Sequence, residues 1–174
     1  KIAGILGHPV QLRSQPGKGS VFSIEVPCCR RVPRQAHTLV GHMPMLQSLQ
    51  GVRIWVLDND AAICEGMRSL LQQWGCRVTT ALSEQDLARQ VNVARARVEL
   101  LIADYHLDHE RTGIEAVAAI NARRDRSIAV LMITANYSNE LKQQVRELGH
   151  TLMHKPVRPM KLKTAICHLL GGQV

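Results

Sequence analysis

A doubly wound α/β domain, five parallel strands with helices on both faces, is what the sequence predicts for residues 51–174. Three observations predict it. The runs Arg53–Leu57, Val98–Ala103 and Ile128–Ile133 are almost uninterruptedly apolar, as strands buried on both faces of a parallel sheet are. Segments with apolar residues at helical spacing separate the strands. The two kinds of segment alternate five times, the pattern of crossover-connected parallel strands rather than of hairpins.

Each element has its own local signal. Arg53–Leu57 ends at Asp58-Asn59-Asp60, after which Ile63, Met67, Leu70, Leu71 and Trp74 recur at helical spacing. Asp60 is placed to cap that helix and Gly75 to end it. Cys76–Ala81 reads as a second strand, and Ser83 with Asp86 opens a second helix. Val98–Ala103 is a strand running into Asp104, and Gly113–Arg123 is helical. Ile128–Ile133 ends at Thr134, and Ser138 caps a helix that stops at Gly149. Thr151–His154 is the fifth strand and Pro159–Leu170 the last helix.

The first 50 residues differ in character. An apolar helical stretch ends at Gly7, and alternating segments Val10–Ser14 and Ser20–Val26 flank Gln15-Pro-Gly-Lys-Gly19. Period-two alternation around a Pro-Gly turn predicts a β-hairpin. A hairpin and a helix end cannot bury a core alone, so residues 1–27 read as a remnant of a larger domain. Residues 28–50, with Pro33, Pro44 and no lasting period, read as a linker with a short helical turn near its end. The chain opens on Lys1 with nothing resembling a signal peptide, so the numbering is expected to start inside a longer protein.

Composition narrows the function classes. Hydrophobic residues make up 45% of the 174, enough for a core and too many for a disordered or collagen-like chain. Aromatics are only 3%, which argues against base-stacking nucleic-acid platforms. No apolar run approaches the ~20 residues of a membrane helix. The net charge is +8. Residues 1–50 hold six basic residues and one acid, the rest sixteen and thirteen, so the excess gathers around Arg30, Arg31 and Arg34. A solvated linker explains that cluster better than nucleic-acid binding does. The five cysteines (28, 29, 64, 76 and 167) form no C-x-x-C pair. They fit free thiols in a reducing cytoplasm, including that of a membrane-attached parent, better than a disulfide framework or a zinc site.

Ligands of doubly wound sheets bind beyond the carboxyl ends of the strands. There the first strand delivers Asp58, Asn59 and Asp60, the third Asp104, the fourth Thr134 and the fifth Lys155 before Pro156. Carboxylates of this kind suit a hard divalent cation, best Mg²⁺. The hydroxyl and the ammonium group suit a phosphoryl group. No nucleotide cradle is present, because Gly17-Lys-Gly-Ser20 lacks the required spacing and lies in the hairpin turn. Phosphate is therefore expected on a side chain, with Asp104 the best-placed nucleophile.

Asp58-Asn-Asp60, Leu101-Ile-Ala-Asp104, Met132-Ile-Thr134-Ala135 and His154-Lys155-Pro156 together resemble the signatures of a response-regulator receiver domain, over residues 51–171. The resemblance implies a flavodoxin-like sheet of order 2-1-3-4-5. It implies that Asp104 accepts a phosphoryl group from a phosphohistidine donor, and that Asp58 holds Mg²⁺ with the backbone carbonyl of His106. It also implies that Lys155 contacts the phosphoryl group, that Thr134 reports it, and that the Lys155–Pro156 bond is cis. Asn59 departs from the family, which usually has a second acid there. Asn59 stays a candidate metal ligand, with Asp60 as a further one. Leu152 departs too, standing where many members carry a Tyr or Phe that couples to the threonine.

Residues 2–27 resemble the last helix turns and final hairpin of a histidine-kinase ATP-binding domain, whose nucleotide boxes are missing here. The order implies a hybrid sensor histidine kinase in a phosphorelay. The fragment itself, lacking the ATP site and a phosphoacceptor histidine, is expected to catalyse only its own phosphorylation and dephosphorylation. The expected partners are its own kinase core, a histidine phosphotransfer protein or a second copy of itself. No nucleic acid and no membrane contact are expected, nor an effector domain after the last helix. A receiver-like interaction module that takes no phosphate is the competing reading, favoured by Asn59 and Leu152 and opposed by Asp104, Thr134 and Lys155. His106 and His109 read as exposed loop residues, and His154 as a strand-end side chain packing outward.

Overall fold

The computed structural model describes residues 7–17, 19–26, 49–107 and 111–171. The chain forms two compact units, residues 1–42 and 43–174. The helical stretch before Gly7 and the linker over 28–48 lie outside the described residues.

In the first unit, β1 (Val10–Gln15) and β2 (Gly19–Ile24) pair antiparallel. The expected hairpin is present. Val10 faces Ile24 and Leu12 faces Phe22 across it, which puts four apolar side chains on one face. All four are exposed, Phe22 by 73%.

The second unit contains the predicted sheet. Its strands are β3 (Arg53–Leu57), β4 (Arg77–Ala81), β5 (Leu100–Asp104), β6 (Ala129–Thr134) and β7 (Thr151–His154), all parallel, in the order β4-β3-β5-β6-β7. The helices are α1 (Ala61–Gln73), α2 (Glu84–Gln90), α3 (Gly113–Asn121), α4 (Asn139–Glu147) and α5 (Pro159–Gly171). Alternate strand residues separate into two cores. Trp55, Leu57, Leu101, Ala103 and Met132 pack with Leu87 of α2, Ile120 of α3 and Val145 of α4. Ile54, Val56, Leu100, Ile102 and Leu131 pack with Leu71 of α1 and Ile166 of α5. Burial on both faces is why the strand runs lack polar alternation.

The helix signals hold with small shifts. Asp60 accepts from the N–H of Ala62 at 2.7 Å, Ser83 caps α2 and Ser138 caps α4. Gly75 has φ +87°, a backbone conformation that favours glycine, and the end of the Gln50 side chain fills the space a Cβ would take. The third strand begins at Leu100 rather than Val98, because the Glu99 carboxylate turns back to accept from the Arg53 N–H at 2.8 Å. Helix α3 ends at Asn121, two residues early, and the Asn121 side chain instead accepts from the N–H of Ile128. Among the described residues, no helix is long and apolar enough to cross a membrane.

A capping box starts α3: Thr112 accepts from the Glu115 N–H at 3.3 Å, and Glu115 accepts from the Thr112 N–H at 2.8 Å. Thr112→Ala is expected to cost about 1 kcal/mol in urea unfolding. The hydrogen bonds from Thr112 hold the Glu115 carboxyl below its ordinary value. Its contribution is therefore present above the ordinary carboxylate range and is lost as pH falls through the lowered folded value. The stability difference between wild type and Glu115→Gln should shrink on acidification through that window.

Candidate functional site

Asp58, Asp104 and Thr134 are buried, with 5%, 6% and 0% of their surfaces exposed, and all three stand at the carboxyl ends of strands. Asp58 follows β3 directly. Its backbone N–H donates to Ala81 of β4, and its Oδ1 accepts from the Asp60 N–H at 2.9 Å. Asp104 is the last residue of β5, in register with Ile133, so Thr134 lies one step further along the neighbouring strand.

Lys155 joins the acids. Its Nζ lies 3.0 Å from Asp104 Oδ1 and 3.6 Å from Asp58 Oδ2. Its backbone N–H donates to the Thr134 carbonyl at 2.8 Å, and the Lys155–Pro156 peptide is cis. One ammonium group thus serves two buried carboxylates, which leaves a local charge of −1. Burial, reinforced by the Asp104 charge, pushes the Asp58 carboxyl above its ordinary value of 3.8, even though the Asp60 N–H and Lys155 pull it down. Burial works against the Lys155 ammonium group as well, but the hydrogen bond and charge of Asp104, with those of Asp58, outweigh it and raise its pKa.

This donor set fits a divalent cation. Asp104 Oδ1 is buried and, apart from its ion pair, accepts no directed hydrogen bond. The uncompensated charge is negative, and the available donors are hard oxygens. Among the described residues, no group of three His, Cys, Asp or Glu side chains could hold a metal. A cation beside the two acids would therefore complete its shell with amide, backbone and water oxygens. Asn59 and His106 are exposed. Asp60 is also exposed, and one oxygen of its carboxylate is spent on capping α1.

Asp58, Asp104 and Lys155 themselves line a largely apolar cavity of about 230 Å³, together with Val56, Met67 and Ile133 and, towards the rim, Ile63 and Pro156.

Three supporting groups, Gly113, the Cys64 thiol and Tyr137, have roles absent from the reading of the sequence. Gly113 packs so closely on the Asp104 backbone that a Cβ would sit 2.1 Å from its carbonyl oxygen. The buried Cys64 thiol donates to the Asp58 carbonyl at 3.4 Å. Tyr137 stacks on His154 with ring centroids 4.2 Å apart, and its hydroxyl donates to the Lys155 carbonyl at 2.9 Å. His154, expected to pack outward, is thus held against the loop that follows Thr134, and its Nδ1 is buried. In that loop Asn136 donates its N–H to Thr134 Oγ1 and accepts from the Ser138 N–H. Glycine alone signals little in a sequence, and the Tyr137–His154 pair is 17 residues apart. His109, Cys28, Cys29 and the Arg30–Arg34 cluster lie outside the described residues.

A doubly wound sheet with two acids and a lysine converging at its strand ends defines the class: an α/β domain built around a buried carboxylate. The family model for the response regulator receiver domain matches residues 54–167, and the chain belongs to that family. Its second unit is similar to chemotaxis protein CheY4 of Vibrio cholerae, with 25% identity over 69% of this chain and 99% of that one, at a TM-score of 0.60. A CheY-like receiver domain protein of Methanospirillum hungatei matches with 24% identity, 71% and 97% coverage and a TM-score of 0.62. A receiver domain protein of Clostridium thermocellum matches with 21% identity, 70% and 96% coverage and the same TM-score of 0.62. The strand order is the one expected of this fold. No curated protein matches the chain.

Gly113→Ala is expected to destabilise the domain by about 1–3 kcal/mol in chemical denaturation, because the added carbon meets backbone that cannot give way. Asp58→Asn should raise the thermal midpoint at neutral pH. With its folded pKa raised, Asp58 costs stability once pH rises through that value, and the amide removes the charge. An unchanged or lower midpoint would show that Lys155 fully compensates the buried pair.

Proposed function

We propose that this receiver domain accepts a phosphoryl group on Asp104 from a phosphohistidine donor, with Mg²⁺ as cofactor. The observation that carries the proposal is the shared Lys155 ammonium group, 3.0 Å from Asp104 and 3.6 Å from Asp58 across three strands. In the transfer, an Asp104 carboxylate oxygen forms a bond to phosphorus as the donor's nitrogen–phosphorus bond breaks, and the electron pair leaves with the imidazole. Lys155 faces the oxygen side of Asp104 and compensates charge as it passes to the phosphoryl oxygens. Thr134, adjacent on β6, supplies a hydroxyl that can donate to a phosphoryl oxygen while still accepting from Asn136. Asp58 and Asp104 would hold Mg²⁺, with the Asn59 amide oxygen, the His106 carbonyl and, less directly, Asp60. Bound there, the ion neutralises phosphoryl charge that one lysine leaves uncompensated.

The hairpin of β1 and β2 supports a wider setting. Its sequence resembles the end of a histidine-kinase ATP-binding domain, and on that reading the chain is a piece of a hybrid sensor kinase: remnant over 1–27, linker over 28–50 and receiver over 51–174. The phosphohistidine then comes from its own kinase core or from a phosphotransfer protein, in the cytoplasm. The apolar rim at Ile63, exposed by 38%, and Pro156 gives the donor a surface beside the acids.

The second reading, an interaction module that takes no phosphate, draws on Asn59, which brings no charge, and on Leu152, which supplies no ring. Incubation with Mg²⁺ and beryllofluoride or acetyl phosphate, read by NMR and intact mass, separates the two. Wild type should respond and Asp104→Asn should not, whereas a response that survives in the variant removes Asp104 from its role. Asn59→Asp should tighten Mg²⁺ binding several-fold by adding a charge, and equal affinity would exclude position 59 from the ligand set.

A further inference from the structure

At the amino-terminal ends of the strands, away from the acids, the charge changes sign. Arg77 and Arg53 open β4 and β3 and pair in register. On the next two strands Leu100 pairs with Ala129, and Arg97 and Arg126 each stand three residues ahead of that pair. This end of the sheet thus carries one arginine for each of four adjacent strands, β4-β3-β5-β6. At about 4.8 Å per strand the row spans roughly 14 Å. Arg95 and Arg123 extend it from the loops before β5 and β6. Arg77, Arg95, Arg97, Arg123 and Arg126 are exposed, and of these only Arg97 makes an ion pair, with Glu99, among the described residues. Arg124 fastens the two loops: its Nη1 donates to the Val93 carbonyl, and its guanidinium lies 5.3 Å from the centroid of the Trp55 ring. Seven arginines, no lysine and two acids, Glu99 and Asp125, leave these strand starts and loops at +5. They form no single run in the sequence, and the sheet alone gathers them.

We propose that this arginine row binds the phosphate backbone of duplex DNA without reading its sequence. A guanidinium fork matches two phosphate oxygens at once, which an ammonium group does not. None of the large apolar side chains exposed among the described residues belongs to these segments. The row therefore offers no ring for stacking on single-stranded bases and no apolar anchor for the core of a protein interface. It also lacks the second, apolar signal that stable attachment to a membrane requires besides basic charge. What remains is an array of fixed cations, and a duplex answers it with one negative charge per about 1.7 Å of axis. The acid cluster lies at the other end of the strands, so DNA held here leaves Asp104 uncovered. The proposal stands whether or not Asp104 takes a phosphoryl group.

The test titrates the full chain into a fluorescent duplex of about 20 base pairs and reads anisotropy between about 50 and 200 mM salt. Affinity should fall with salt with a logarithmic slope near −4, about 0.9 for each phosphate neutralised. Backbone amide signals at Arg77, Val98 and Ser127 should shift, while those at Thr134 and Lys155 stay in place. Arg77→Glu with Arg126→Glu should weaken binding roughly tenfold or more and make the slope shallower by about two. Arg95→Gln with Arg123→Gln, a milder pair, should weaken it in the same direction. Arg30→Glu with Arg31→Glu, the same charge change in the linker, should alter affinity less than about threefold. No binding at the lowest salt, binding indifferent to salt, or amide shifts confined to other elements overturns the proposal. So does loss of binding in the linker variant while the first pair still binds as wild type. Vesicles containing phosphatidylserine, or polyglutamate, that displace the duplex at equal charge also overturn it, and assign the row to a membrane or to an acidic protein.

Discussion

Two carboxylates and one ammonium group, brought together at the buried end of a parallel sheet, are the constraint on which the rest of this molecule depends. Opposite charges about 4 Å apart attract by roughly 4 kcal/mol at an effective dielectric near 20, but one lysine cannot satisfy two acids whose surfaces are only 5% and 6% exposed. Burial raises the Asp58 carboxyl, and with both acids ionised one ammonium group leaves a surplus negative charge. A fold that optimised stability alone would remove one acid. Keeping both preserves an unmet demand for positive charge, which the proposed divalent cation would meet.

The strand order decides which residues can meet that demand. Asp58 and Asp104 come from adjacent strands, β3 and β5, whereas Lys155 comes from β7, with β6 between β5 and β7. Neighbouring strands are about 4.8 Å apart, so a group that starts on β7 must cross roughly two such spacings. The four-carbon stem of lysine covers most of that gap while presenting a compact charge, and the Asp104 side chain with the 3.0 Å contact closes the rest. The backbone around the acids is equally specific. Gly113 presses on the Asp104 carbonyl, the Cys64 thiol holds the Asp58 carbonyl, and Lys155 is tied to Thr134 through its own N–H.

The same ties lead outward from the site. With Leu152 half-buried against the core, no ring stands at that position of β7. A ring comes instead from the loop after β6: Tyr137 rests on His154 and bonds the carbonyl of Lys155. That ring also lines a surface groove with Leu152, Arg158 and Lys161, and Lys155 borders both this groove and the cavity at the acids.

Much of this was written locally in the chain. Apolar runs marked the central strands because burial on both faces forbids alternation. Asp60, Ser83 and Ser138 marked helix starts because orphaned N–H groups need an acceptor, and Asp58, Asp104, Thr134 and Lys155 could be placed at strand ends once the strands were known. What the sequence could not determine depends on distances between residues remote in the chain. These include the sharing of Lys155 between two acids, the stacking of Tyr137 on His154, and the glycine that only the Asp104 carbonyl makes necessary. Even the shortened third strand follows from one carboxylate, that of Glu99, finding the N–H of Arg53, 46 residues earlier. Periodicity and capping act over a few residues and are legible in order. Charge balance and steric approach act through space, and only the folded sheet brings their partners together.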